Sequence, residues 1–120
     1  NGLLVGKPAA LWARSQGAGV MVVTEETEHK EMVIKAADII ISGVGKPELI
    51  KATAVKQGVV IFDAGTAEDN GVLKGDVHKD VAAVASLFTP VPGGIGPLTV
   101  VMLLRNVLAS CEQSAMMERT

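Results

Sequence analysis

The chain of 120 residues is long enough for one hydrophobic core and too short for two. Hydrophobic residues make up 48% of it and charged residues 20%, which excludes a disordered segment. Eleven basic against thirteen acidic side chains give a net charge of −2, which argues against a protein that grips nucleic acid through its phosphates.

No unbroken apolar run exceeds five residues, as at residues 100–104, far short of the ~20 residues that span a bilayer, so no membrane partner is expected. The opening residues lack the layout of a signal peptide. Cys111 is the sole cysteine, which excludes an internal disulfide and a cysteine metal cluster and fits a reducing cytoplasm. Its place near the end of the last helix reads as a small buried apolar group.

In chain order, residues 8–16 read as a helix, with Pro8 pre-set for its first turn and Gly17 and Gly19 ending it. Val20, Met21, Val22 and Val23 form a short continuous apolar run, the pattern of a strand covered on both faces. Residues 27–36 follow as a helix with Thr27 as N-cap and Glu28 and Glu31 near its positive end. Residues 38–42 form the next strand, residues 47–57 a short helix, and residues 59–62 a third strand. Asn70-Gly71 signals a tight turn between two short antiparallel strands. Residues 79–86 read as a helix and residues 87–89 as a last strand. Residues 97–109 form the strongest helix, with Val100, Leu103, Leu104, Val107 and Leu108 spaced to face the core. A polar tail at residues 112–120 is expected to fray, leaving residues 1–111 as the domain.

Alternating strands and helices at this spacing predict an α/β fold: a Rossmann-like, doubly wound parallel sheet. In such sheets ligands bind outside the carboxyl ends of the strands, here Thr24-Glu25, Gly43-Val44-Gly45 and Ala64-Gly65-Thr66. These segments are rich in small residues, so backbone can approach an extended ligand, and a nucleotide is the default candidate. The chain opens directly on a helix, without the strand that lies centrally in this fold. A fragment of a longer polypeptide is therefore expected.

The segment Thr89-Pro90-Val91-Pro92-Gly93-Gly94-Ile95-Gly96-Pro97-Leu98-Thr99 holds three prolines and three glycines within residues 90–97, more than a turn requires. It stiffens a strand exit, exposes backbone, and starts a helix whose N-terminus favours negative charge. It resembles the Thr-Pro-Val-Pro-Gly-Gly-Val-Gly-Pro-Met-Thr signature of the bifunctional methylenetetrahydrofolate dehydrogenase/cyclohydrolase family, differing at Ile95 and Leu98. The likeness runs along almost the whole chain, through Val5-Gly6-Lys7-Pro8, Ala37-Asp38-Ile39, Val44-Gly45-Lys46-Pro47, Ile61-Phe62-Asp63-Ala64-Gly65 and Gly75-Asp76-Val77.

The resemblance implies the nucleotide-binding half of an enzyme that oxidises 5,10-methylenetetrahydrofolate with NAD or NADP and hydrolyses the product to 10-formyltetrahydrofolate. It implies no catalytic residue in this chain, a folate substrate shared with an N-terminal domain, and a homodimer. By matched position, Asn1 and Gly2 fall in the cofactor loop, Thr24 and Glu25 at the ribose end, and Val44 and Gly45 along the cofactor. Thr66 falls near the nicotinamide, Gly96 and Thr99 also on the cofactor, and Pro92 and Gly93 on the folate side. The other dispositions weighed are the nucleotide half of another two-domain dehydrogenase and a non-catalytic nucleotide-binding module. The first has no use for the proline–glycine segment, and the missing central strand argues against the second.

Where many family members carry a His-Ser or His-Arg pair, this chain has Thr24-Glu25-Glu26. A carboxylate accepts from the ribose hydroxyls of NAD and repels the extra phosphate of NADP. Glu25 also lies 19 positions after Gly6, close to the usual ~20-residue spacing of an acidic ribose ligand. NAD is therefore the expected cofactor, against the plainer reading of Glu25 and Glu26 as solvated charge. His29 and His78 lack a second ligand at metal spacing, and no metal is expected. Asp63 reads as a backbone cap at a strand end, and Asp76 as a turn or domain-packing carboxylate.

Overall fold

A computed structural model describes residues 6–118 of the chain. The helices are α1 (Gly6–Ser15), α2 (Lys30–Ala36) and α3 (Ile95–Glu118). The strands are β1 (Ile39–Ser42), β2 (Val60–Asp63), β3 (Ala67–Asp69), β4 (Val72–Lys74) and β5 (Leu87–Thr89). Strands β1, β2 and β5 form a parallel sheet in the order β1-β2-β5, with Ile40 opposite Ile61 and Ile61 opposite Phe88. This is the expected Rossmann-like winding, with crossovers between neighbouring parallel strands.

Along β2 burial alternates, Ile61 and Asp63 being buried and Val60 and Phe62 half-buried. The buried face packs on Ile50, Val55, Val77 and Val81, with Ile34, Ile40, Val84 and Phe88 around them. On the other face Ile39, Ile41 and Leu87 stay exposed among the described residues. Val81 is fully buried, and Val81→Ala is expected to lower stability by about 2 kcal/mol, read as a lower urea midpoint.

The hairpin β3–β4 forms as the Asn70-Gly71 pair predicts. Both residues have positive φ, 52° and 78°, as a two-residue hairpin turn of this hand requires, and Asp69 pairs with Val72. Lys74 reaches Asp69 at 3.0 Å and Glu48 at 3.6 Å. The Asp69 hydrogen bond, with the charge of Glu48, raises the Lys74 pKa.

Several elements differ from expectation. Residues 20–23 form no strand: parallel pairing needs a neighbour, and none of the described residues supplies one. Helix α2 starts at Lys30 rather than residue 27, because Thr27 turns back to accept from the Thr24 N–H at 2.9 Å and His29 takes a left-handed φ of 53°. Only the 3₁₀ turn Ala52–Ala54 survives of the expected helix over residues 47–57. Ile50 instead bridges to Val77, donating to the Asp76 carbonyl and accepting from His78 N–H, which holds the segment extended.

Residues 79–86 form a shorter 3₁₀ helix, Lys79–Ala83, anchored by Asp80. The Asp80 carboxylate accepts from Ala52 N–H at 3.0 Å. Partial desolvation pushes its pKa up, but that bond and the neighbouring His78 outweigh it and leave the group below its ordinary value.

The largest departure is α3. It starts at Ile95, not Pro97, and runs through Cys111 to Glu118, so residues 112–118 are helical rather than a frayed tail. Its apolar residues do not reach the core: Leu103 is 62% and Leu104 67% exposed. Apolar side chains lie all around this helix, and no described element packs against it closely enough to bury any of them. Cys111, expected to be buried, is exposed for the same reason. By length and composition α3 is the one helix among the described residues that could cross a membrane.

Candidate functional site

Because β1, β2 and β5 are parallel, their carboxyl ends fall on one edge of the sheet. Residues 43–46, 64–66 and 90–94 leave from that edge as three neighbouring loops. What fixes two of them is a pair of carboxylates, Asp63 and Asp76, which are 1% and 0% exposed. Asp63, the last residue of β2, accepts from the N–H groups of Gly65 at 2.9 Å, Asp76 at 3.1 Å and Val77 at 3.0 Å. It is the backbone cap expected there.

Asp76 takes four donors: Ser42 Oγ at 2.6 Å and the N–H groups of Val44, Gly45 and Lys46 at 2.7, 2.9 and 3.0 Å. Charge-assisted bonds of this kind hold a buried carboxylate in place of a cation. Two glycines complete the arrangement. A Cβ on Gly65 would run into the Asp76 carboxylate, and one on Gly75 into that of Asp63. Each acid therefore fills the space that the glycine beside the other leaves free.

Gly45 has φ 82°, and the nearest atom to a Cβ built on it is the Thr66 carbonyl oxygen at 3.9 Å, so the two loops lie side by side. Glu25 reaches the same corner, where Lys46 Nζ donates to its Oε1. Both side chains remain largely exposed. The sequence shows no arginine to offset Glu25; the structure supplies Lys46 instead. Thr24 sits one residue back, its hydroxyl 3.3 Å from that of Thr27.

At the third loop Asp63 N–H donates to Thr89 Oγ1 at 3.0 Å, tying the end of β5 to β2. Pro92 and Gly93 are exposed at the turn, and Gly93 has φ 98°. Gly94 is confined: a Cβ there would meet the Pro90 carbonyl oxygen and the Thr89 backbone. Gly96, in the first turn of α3, faces open space. Thr99 Oγ1 donates to the Ile95 carbonyl at 3.1 Å.

The edge thus gathers Glu25, Gly45 and Thr66 at one corner, with Val44 beside them on the 43–46 loop. Pro92, Gly93, Gly96 and Thr99 lie along the loop and helix that follow β5. Asn1 and Gly2 lie outside the described residues. Sequence reasoning left out Lys46, Ser42 and the loop-gathering role of Asp76. The signal available was an acid with a glycine within two positions, in Asp63-Ala64-Gly65 and again in Gly75-Asp76.

Comparison with known proteins decides the family. The model of the tetrahydrofolate dehydrogenase/cyclohydrolase NAD(P)-binding domain matches residues 1–115. The chain belongs to this family. It is 44% identical over 107 residues to the bifunctional protein FolD of Staphylococcus carnosus, matching 88% of this chain and 38% of that protein. With the bifunctional protein FolD of Acetivibrio thermocellus it shares 42% identity over 117 residues, 96% of this chain and 41% of that one.

Among solved structures, the FolD methylenetetrahydrofolate dehydrogenase/cyclohydrolase of Campylobacter jejuni superposes with a TM-score of 0.90 at 35% identity, covering 95% of this chain and 41% of its own. The Trypanosoma brucei methylenetetrahydrofolate dehydrogenase-cyclohydrolase, complexed with NADP cofactor and inhibitor, gives 0.87 at 37% identity, covering 95% and 42%. The chain therefore spans about two fifths of the length of these relatives.

Proposed function

We propose that this chain is the cofactor-binding part of an enzyme that oxidises 5,10-methylenetetrahydrofolate to 5,10-methenyltetrahydrofolate with NAD or NADP and hydrolyses that product to 10-formyltetrahydrofolate. The observation that carries the reading is the bare backbone of the carboxyl edge, with Gly45 and Gly96 facing space that no side chain fills, in a chain of this family. Such a cradle fits an extended dinucleotide, which crosses parallel sheets at this edge. NAD(P), when bound, supplies the hydride acceptor.

In this reading Thr24 and Glu25 bind the ribose end, Val44 and Gly45 line the dinucleotide, and Thr66 lies at the nicotinamide. Gly96 and Thr99 also contact the cofactor, Asn1 and Gly2 belong to its loop, and Pro92 and Gly93 line the folate side. The proton chemistry belongs to residues in the rest of the enzyme.

NAD is the preferred cofactor in this proposal, because the Glu25 carboxylate accepts from two ribose hydroxyls and opposes a third phosphate. Lys46 modulates that preference, since it holds Glu25 and would serve the extra phosphate if freed. Glu25→Gln is expected to move the ratio of kcat/KM values toward NADP by about tenfold. An unchanged ratio would mean that this side chain points away from the ribose.

The exposed apolar length of α3 supports a surface covered by the rest of the enzyme or by a second subunit of a homodimer. Arg105 and Glu112 inside it weigh against a membrane span, since a charged residue at mid-bilayer costs about 2.5–3.5 kcal/mol. A cytoplasmic enzyme, with no membrane or nucleic acid partner, fits these features.

The test is a titration of the full-length enzyme with NAD and with NADP, following reduction at fixed methylenetetrahydrofolate. Turnover with a higher kcat/KM for NAD is expected. Faster turnover with NADP would remove the preference, and reduction of neither would remove the function.

A further inference from the structure

The three consecutive N–H groups of Val44, Gly45 and Lys46 converge on a single acceptor, a backbone geometry that usually binds an anion from outside the chain. Here the anion is internal. The Asp76 carboxylate fills the nest from beneath, with Ser42 Oγ as its fourth donor. The N–H groups of residues 44–46 are therefore not free to offer a phosphate, and the loop presents the exposed Val44 side chain instead. Gly45, with its positive φ, turns its N–H inward to Asp76 Oδ1.

From this geometry we infer that Asp76 is a positioning residue for the dinucleotide: by gathering the N–H groups of residues 44–46 it sets the loop surface along which the cofactor lies, while never touching the cofactor. This rests on the carboxyl edge being the dinucleotide site. It also assigns the phosphates to another segment, because the nest on this loop is already occupied. Gly65 makes the placement possible, since any larger residue there would displace the carboxylate.

Two substitutions separate positioning from plain stability in the full-length enzyme. Asp76→Asn keeps the shape but turns one acceptor into a donor that faces backbone N–H or Ser42 Oγ. Ser42→Ala keeps the charge and removes only the side-chain anchor. Dissociation constants for NAD and NADP are measured by equilibrium binding, beside the rate of methenyltetrahydrofolate hydrolysis, a step that transfers no hydride.

Asp76→Asn is expected to bind dinucleotide at least about tenfold more weakly, equivalent to about 1.4 kcal/mol, and Ser42→Ala about threefold more weakly. Hydrolysis should stay within about twofold of the unaltered enzyme. Equal losses in binding and hydrolysis, or unchanged binding in a folded Asp76→Asn, would overturn the positioning role. If Asp76→Asn does not fold, Ser42→Ala decides, and dinucleotide binding as tight as in the unaltered enzyme overturns it. Failure of the unaltered enzyme to bind either dinucleotide would instead overturn the assignment of the edge.

Discussion

Asp63→Ala is expected to destabilise the protein by about 3–5 kcal/mol, enough to unfold a domain of ordinary stability. The carboxylate is 1% exposed and is the acceptor for the N–H groups of Gly65, Asp76 and Val77. Alanine removes the oxygens those buried donors are bonded to. It also frees the turn that carries Asp76 to its own donors, so the 43–46 loop loosens with it. Asp63→Asn, which keeps one acceptor and the shape, should lose about half as much. Urea unfolding of the three proteins checks the order, and an Asp63→Ala protein within about 1 kcal/mol of the unaltered one would contradict the role given to this acid.

The second large effect is expected at Gly94. Its Cβ position lies against the Pro90 carbonyl oxygen and the Thr89 backbone, all main-chain atoms that cannot swing aside. Gly94→Ala must open the turn between β5 and α3 and displace Pro92, Gly93 and Gly96 together. A shift of about 1 Å in groups that position reactants costs on the order of a hundredfold in rate, so kcat/KM for the proposed methylenetetrahydrofolate oxidation by the full-length enzyme should fall by about that factor. Gly93→Ala meets no atom within 4 Å and suffers only from its φ of 98°, so it should lose less. Steady-state kinetics on both variants checks the contrast, and equal losses would show that the confinement of Gly94 is irrelevant.

What was legible in the sequence follows the physics of each segment. Short apolar runs marked β1, β2 and β5, with glycine following β1 and β2 and proline following β5, because a parallel strand covered by its neighbours is built from such runs. Asn70-Gly71 marked its hairpin because both residues tolerate positive φ. Residues 20–23 carry the same apolar signal as the true strands, yet a strand exists only where a neighbour pairs with it. The periodicity of α3 was read as core-facing, but periodicity reports which residues share a side, not what covers that side. The site was legible as far as its loops. The Asp63–Asp76 arrangement was not, because the bonds of Asp76 link residues 30 or more positions apart, as with Lys46, those of Asp63 reach 13 and 14 positions on to Asp76 and Val77, and only the fold brings them together. Lys46 at Glu25 was hidden in the same way, 21 positions away.

The most direct measurement is a crystal structure of the full-length enzyme with NAD bound. The dinucleotide is expected to lie across Gly45 and Gly96 at the carboxyl edge, with its adenosine ribose beside Glu25 and the N–H groups of residues 44–46 still turned inward to Asp76. A dinucleotide bound away from that edge, or one whose phosphates draw those N–H groups off Asp76, would contradict it.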